Sequence, residues 1–170
     1  MPHVISTTSA RHQRRIIAIA ALAVLAAVSV AAQAGECPAD KVVADGKGQP
    51  MSAAEPAKAV TDKVITSTEL AKEPVAIQGR LFRARLLEIG AGGVVPWHAH
   101  GDRPALILIS SGEITEYAST CAVPIQHKAG DITAEKTPAS HWWKNHGTTP
   151  VVIHSFDLFR AEDKKNEKMM

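Results

Sequence analysis

The sequence has little net charge, only two cysteines and no internal repeat. Its 19 basic and 17 acidic residues leave a formal charge of +2, so no surface for nucleic acid or anionic lipid is indicated. Because no unit repeats along the 170 residues, we expect one folded domain and no tandem. No convincing helical pattern interrupts the second half of the chain, where short strand-like runs follow one another.

The N-terminus has the pattern of an export signal. Arg11, Arg14 and Arg15 precede an apolar run over 16–32, and small residues at Ala32 and Ala34 fit a signal peptidase site. We therefore predict a signal peptide over residues 1–34 and a periplasmic or secreted protein with no membrane contact after cleavage. The alternative is an uncleaved anchor, since the run approaches the length of a spanning helix. Arg14-Arg15 also partly fits a twin-arginine signal.

Cleavage after Ala34 leaves 136 residues with a formal charge of −1, because the removed segment holds three arginines and no acid. Outside the cytoplasm, Cys37 and Cys121 are expected to form a disulfide. The closed loop is long enough to contribute roughly 4 kcal/mol in the chain-entropy model. Two unpaired or intermolecular thiols are the alternative.

The mature chain divides into three parts. Residues 35–73 are rich in Ala, Lys, Pro and Gly and predict an N-terminal arm, extended only near Val60-Thr61 and 64–66. Residues 74–160 predict an all-β barrel or sandwich, and 161–170 a charged C-terminal tail. The predicted strands are Arg80–Ile89, Val94–His98, Ala105–Ile109, Glu113–Ala118, Asp131–Glu135, Ser140–Lys144 and Val151–Phe159, with 90–93 as a turn.

His98-Ala99-His100 is the main candidate for chemistry. Residues two apart on a strand point to the same face, so both imidazoles can bind one ion. An isolated His-x-His motif also occurs as two surface histidines, and the surrounding sequence has to decide between the two interpretations.

Two glycine-bounded blocks around these histidines resemble the paired motifs of the cupin superfamily. The first block consists of Gly92, His98, His100 and Gly112. The second consists of Gly130, Asp131, His141 and Asn145. The resemblance covers about residues 80–159 and implies an all-β fold, a single small jelly-roll (double-stranded β-helix) barrel preceded by the signal peptide and the extended arm. It also implies that His98, His100 and His141 bind a metal ion.

One position departs from the cupin pattern in a way that affects the metal. Ala105 stands where the family usually places a carboxylate ligand, so three histidines remain as ligands. A fourth ligand could come from Asp102, Glu113, Glu116 or Glu135, none of which is in the expected place, and Asp102 is the best candidate. Three neutral imidazoles leave the charge of a divalent ion uncompensated and favour anionic or chelating ligands. The ion is expected to be Fe(II) if the protein is an oxygenase, with Zn, Cu, Ni, Co or Mn as alternatives.

Strand alternation predicts which side chains line the pocket. Counting from His141, Trp143 faces inward and is a candidate pocket wall, although plain core packing explains it equally well. Ala105 and Ile107 are predicted to line the same pocket, and Trp142 to point outward. Two alternatives stay open for His154, which is either a hydrogen-bonded core or surface histidine or a residue that reaches the cavity.

Two classes of function follow from these residues. The first is an exported metal-dependent oxidoreductase, similar to a dioxygenase, acting on a small enolic, phenolic or thiol compound, with no catalytic residue identified. The second is a non-enzymatic module that binds a metal or small ligand for sensing, storage or delivery. In both, the expected partners are a small-molecule ligand and a second copy of the chain in a homodimer.

Overall fold

A computed structural model describes residues 35–166, which form eight strands joined by turns and short 3-10 helices. The strands are β1 (Lys58–Glu69), β2 (Arg80–Ala99), β3 (Ala105–Ser111), β4 (Glu113–Ala118), β5 (Ile125–Lys128), β6 (Ile132–Glu135), β7 (Ser140–Lys144) and β8 (Val151–Arg160). The 3-10 helices are Ala39–Lys41, Met51–Ala53, Leu70–Lys72 and Ala161–Asn166. The predicted signal peptide lies outside the described residues. Within them, no helix has the length and apolarity needed to cross a membrane.

The strands form one antiparallel sheet that folds back on itself. Its order is β5-β4-β7-β2-β8-β3-β6, with β1 beside β2. β3 and β4 are joined by Gly112 alone although three strands separate them in the sheet, and β5 and β6 lie at opposite ends although only 129–131 connect them. Such short connections require the two halves of the sheet to face each other. The predicted small jelly-roll barrel is therefore confirmed.

Gly112 makes the tightest of these connections possible. Its φ of +82° lies in the left-handed region, and a Cβ there would come within 2.9 Å of Val151. A larger residue would be strained by both effects.

β2 is a single strand of 20 residues, so the prediction of two runs separated by a turn at 90–93 is wrong. Its first half pairs with β8 and its second half with β7. The strand continues because Gly92, at φ +64°, absorbs a bulge without ending the pairing. One strand therefore reaches across both halves of the barrel.

A second irregularity in β2 sets the direction of the histidines. Val95 is opposite Trp143 and His98 is opposite His141, so three steps on β2 match two on β7. The extra residue lies at Pro96-Trp97, and a proline suits it because it has no N–H to offer the ladder. Before this bulge odd-numbered residues of β2 face inward, and after it even-numbered ones do.

The core is an apolar cluster between the two halves of the sheet, consisting of Leu87, Ile89, Val95, Ala105, Ile107, Ile109, Ile114, Trp143, Val151 and Ile153. A smaller cluster surrounds Cys121. The predicted disulfide is confirmed, since Cys37 and Cys121 are bonded with their Cα atoms 5.8 Å apart. It attaches the start of the arm to the loop after β4.

The arm contains more regular structure than the sequence indicated. β1 extends over 12 residues and pairs with the first half of β2, well beyond the two short pieces predicted. β5 also forms without having been predicted. Both strands were missed because their apolar residues are few and their positions depend on pairing with distant strands.

The outer face of the β2-β8-β3-β6 layer exposes apolar side chains. Phe82, Leu106 and Ile132 are each at least half exposed, and the strand registers place them on the same face. This is the kind of surface on which the expected homodimer depends, and the homodimer stays a prediction.

Candidate metal centre

The three candidate histidines converge on one point inside the barrel. The Nε2 atom of His98 lies 3.2 Å from that of His100 and 3.1 Å from that of His141, and the latter two are 3.1 Å apart. His100 and His141 are buried and His98 is half-buried. The bulge in β2 and the pairing of His98 with His141 bring the residues together.

The far nitrogens of His98 and His100 are held by backbone carbonyl groups. Nδ1 of His98 lies 2.9 Å from the carbonyl oxygen of Pro96, and Nδ1 of His100 lies 3.1 Å from that of Arg103. A carbonyl only accepts, so both Nδ1 atoms carry the proton. The Nε2 lone pairs are therefore free to bind an ion.

Both rings are neutral at physiological pH. Burial and the neighbouring His141 lower the pKa of His98 well below its usual value. The same causes lower the pKa of His100 to about 3. Neutral imidazole is the form that binds metals.

His141 is held by carboxylates. Its Nδ1 donates to Oε1 of Glu116 at 2.6 Å and lies 3.1 Å from Oε2 of Glu135. Glu116 also accepts a hydrogen bond from Nε2 of His127 at 2.9 Å, and the His127 ring stacks on Trp143. A carboxylate behind a metal-binding histidine fixes its tautomer and raises its basicity.

Opposite pKa shifts distinguish the two glutamates. Burial alone would raise the pKa of Glu116, but the hydrogen bonds from His127 and His141 lower it to about 2. Burial raises the pKa of Glu135 to about 8, to which the nearby Glu116 contributes. Burial opposes the charged form of His141, yet Glu135 and Glu116 outweigh it and raise its pKa. Glu116 is therefore the ionised partner of His141 at neutral pH.

The spacing of the three nitrogens fits a divalent ion. Metal–nitrogen bonds of about 2.1 Å meeting at about 95–100° would give the observed separations. His98, His100 and His141 would hold the ion, and the cavity that they line would leave room for a further small ligand. The Nε2 atoms of His98 and His100 carry no hydrogen atom, so neither can satisfy the other by a hydrogen bond.

The strand order, the His-x-His pair on β2 and the third histidine on the adjacent β7 together decide the type of barrel. The fold is a cupin barrel.

Comparisons with known proteins find distant similarity to solved structures. No protein-family model matches the sequence, and no curated protein matches it. A cupin domain of Cnp3 from Schizosaccharomyces pombe is 16% identical, with a TM-score of 0.49 over 68% of this chain and 71% of that one. A double-stranded β-helix protein from Klebsiella pneumoniae is 19% identical, with a TM-score of 0.48 over 61% of this chain and 81% of that one. KdgF from Halomonas is 14% identical, with a TM-score of 0.48 over 64% of this chain and 88% of that one.

The cavity beside the three histidines of this cupin barrel is small, with a volume of about 30 Å³. Its walls are mostly apolar, with a few polar groups. Its other lining residues are Arg85, Leu87, Val95, Ile107, Glu135, Trp143, Ile153 and Ser155. The space holds only a few atoms, since a single water needs roughly 10–15 Å³ on the same measure.

Ile107 and Trp143 line this cavity, but Ala105 does not, and that part of the pocket prediction is wrong. Ala105 is buried in the core directly opposite Glu135 of β6, and its methyl group does not reach the cavity. The larger Glu135 side chain forms the wall at this level. The cupin barrel therefore has a carboxylate on the strand next to the position where the sequence lacks one.

Glu135 is nonetheless not close enough to all three histidines to share one ion with them. Its carboxylate lies near Nδ1 of His141, on the other edge of the ring from Nε2, and forms a group with Glu116 and His141. One of its oxygens, Oε1, is buried without a hydrogen-bond partner within residues 35–166. The Glu135 carboxylate is therefore placed both to support His141 and to face a ligand in the cavity.

Asp102 does not reach the metal centre, so its prediction as a fourth ligand is wrong. Its side chain is 54% exposed and pairs with Arg80 at 2.7 Å. The loop after β2 turns it towards the barrel surface.

The remaining candidates lie on the outer faces of their strands. His154 forms a hydrogen bond with Ser110 at 2.6 Å and does not line the cavity, to which its neighbour Ser155 contributes. Trp142 stacks on Tyr117 with ring centroids 4.2 Å apart and is buried. Alternation along β7 gives these two tryptophans, Trp142 and Trp143, opposite directions.

Proposed function

We propose that this chain is an exported metal-binding protein with the cupin fold, and that its function depends on a divalent ion held by His98, His100 and His141. The observation that carries the proposal is the convergence of three Nε2 atoms within 3.1–3.2 Å while each Nδ1 is engaged elsewhere. Three imidazoles prearranged in this way have no comparable structural purpose.

The proposed activity is oxidoreductase chemistry on a small compound with an enolic or thiol donor. A bound Fe(II) would supply redox and Lewis-acid chemistry. Val95, Ile107 and Trp143 line the cavity, and they would orient the ligand by packing against it and would exclude water. Glu135, which borders the cavity with a pKa of about 8, would hold or accept a proton beside the ligand. The small volume of the cavity favours compounds of few atoms over a phenolic ring.

A non-enzymatic metal-binding module is the second candidate, and the size of the cavity favours it. Ligand sites in enzymes commonly have several hundred Å³. A cavity of about 30 Å³ suits an ion with one or two small ligands, as in storage or delivery.

Export is supported by the disulfide between Cys37 and Cys121. Such bonds persist in oxidising compartments and are rare in the cytosol.

The test is the metal content of the untagged protein, purified from the exported fraction without chelators. A His98→Ala, His141→Ala double variant should lose the metal, while His154→Ala, a matched control on the outer face, should retain it. Near-stoichiometric iron with oxygen uptake in the presence of small enolic or thiol compounds supports the oxidoreductase. Zinc or copper without oxygen uptake favours the binding module. Absence of metal from the wild type, or equal metal in the double variant, overturns the proposal.

A further inference from the structure

The β2-β8-β3-β6 layer carries an apolar patch on the face that points away from the metal cavity. We call the outer patch the side chains of Phe82, Leu106, Ile132, Phe156 and Leu158. The first three are 50%, 53% and 62% exposed, and the other two are half-buried. The patch is contiguous, because Phe82 is opposite Leu158 and Leu106 is opposite Phe156. A contiguous exposed apolar surface commonly marks a contact site.

The described part of the N-terminal arm does not cover the outer patch. The arm packs on the other half of the barrel, where the N–H of Gln49 donates to the carbonyl oxygen of Ala118 at 2.9 Å, at the end of β4. Glu55 of the arm pairs with Lys144 of β7 in the same half. The patch therefore stays exposed with the arm in its folded position.

Charged side chains on the outer face of this layer lie at the ends of its strands. Glu88 is exposed near one end, on β2. Arg160 lies at the opposite end, on β8, where its side chain is 45% exposed and pairs with Asp163. Between these ends the outward-facing side chains are apolar except for His154, which is hydrogen-bonded to Ser110. The centre of the face can therefore be covered without burying a charge.

This distribution makes the face complementary to itself. A twofold axis that lies between two facing layers, perpendicular to their strands, reverses the strand direction of one copy relative to the other. Glu88 of each copy then lies over the end that carries Arg160 in the other copy, while the apolar centres meet. Four strands spaced about 4.8 Å apart make a face roughly 15–20 Å wide, which a second sheet about 10 Å away covers in a sandwich.

We propose that the outer patch is the contact surface of a homodimer in which two copies pack their β2-β8-β3-β6 layers face to face about this axis. The occupant is a second copy because an apolar centre with opposite charges at its two ends matches its own image. An apolar small molecule would make no use of Glu88 and Arg160. The inference is independent of the proposed metal site, which lies on the inner side of each barrel.

The experiment is sedimentation velocity of the untagged mature protein over a range of concentrations. Leu106→Glu places a charge in the centre of the outer patch, and Ile132→Glu does the same from β6 if the first variant does not fold. Met51→Glu is the matched control, because Met51 is an apolar side chain of the arm that is 67% exposed away from the patch. Glu88→Arg is measured alone and together with Arg160→Glu. Circular dichroism checks the fold of each variant.

Wild type and Met51→Glu should dimerise with a dissociation constant in the micromolar range or tighter. Leu106→Glu and Ile132→Glu should raise this constant at least about 100-fold, because each buries two unpaired charges in the dimer. Glu88→Arg should raise it about tenfold by placing like charges together, and adding Arg160→Glu should restore most of the loss.

Three results would contradict the inference. A wild type that stays monomeric well above micromolar concentration excludes the dimer, as would be seen if residues 1–34 were retained and covered the patch. A dimer that persists in folded Leu106→Glu and Ile132→Glu has its interface elsewhere. Failure of Arg160→Glu to restore dimerisation in the Glu88→Arg background refutes the twofold arrangement.

Discussion

Glu116 supports His141 from behind, and replacing it with glutamine tests how far that support determines metal affinity. The carboxylate accepts hydrogen bonds from Nδ1 of His141 at 2.6 Å and from Nε2 of His127 at 2.9 Å. A glutamine carbonyl can still accept from His141. Its amide would then face His127, which can shift its proton to Nδ1, a nitrogen without a partner within residues 35–166. Glu116→Gln therefore removes the charge and keeps the shape.

We expect about a tenfold loss of metal affinity, equivalent to about 1.4 kcal/mol. Loss of a partner behind a metal-binding histidine typically costs 10–100-fold, and the lower end applies because the hydrogen bond to His141 is retained. The assay is competition for Zn(II) with a chromophoric chelator at pH 7. Glu113→Gln is the control, since Glu113 lies on the same strand and is exposed. An affinity within about threefold of wild type, in a variant that is folded by circular dichroism, would refute this role of Glu116.

Three further predictions concern stability, each measured by urea unfolding. Burial raises the pKa of Glu135 from 4.5 to about 8, so the folded state keeps a proton that the unfolded state releases, and stability falls as pH rises through this interval. The free energy of unfolding of the metal-free Glu135→Gln variant should therefore exceed that of the wild type by a few kcal/mol at pH 8 and equal it near pH 4. Burial alone would raise the pKa of Asp157, but pairing with Arg83 and the neighbouring arginines lowers it below 3.8. The stabilisation that the Asp157 carboxylate provides is therefore present above pH 3.8 and is lost as the pH falls below that value. Asp157→Asn should cost about 3–5 kcal/mol at pH 7 and progressively less below pH 3.8, whereas an equal loss at pH 2 would contradict the pairing. Replacing Cys37 and Cys121 with serine opens a loop spanning 84 residues and should cost about 4.5 kcal/mol, a loss that reductant should reproduce in the wild type.

The histidines were accessible from the sequence because their signal is local. His98 and His100 are two residues apart on one strand, and His141 stands in a second block with recognisable spacing to Asn145. Asn145 itself donates to the carbonyl groups of Ile89 and Thr149, holding the turn after β7.

The groups around the histidines were not accessible in this way. Glu135 reaches the cavity because its strand pairs with Ala105, and Arg85 because β2 and β8 face the interior in a particular register. Register across strands depends on bulges and turn lengths that a single sequence does not reveal. The sequence around Arg83 and Arg85 points the other way, because they alternate with apolar residues that a simple period of two would place on the inner face.

The bulge at Pro96-Trp97 means that a His-x-His motif does not by itself determine a metal site in such a chain. With one residue fewer before His98, the side chains of His98 and His100 would leave the interior and face solvent, although the motif would read the same. Arg85 and Leu87, which precede the bulge, would still face inward. A related sequence that aligns with every ligand but lacks the inserted residue should therefore be expected to have an intact barrel, an intact arginine and no capacity to hold an ion.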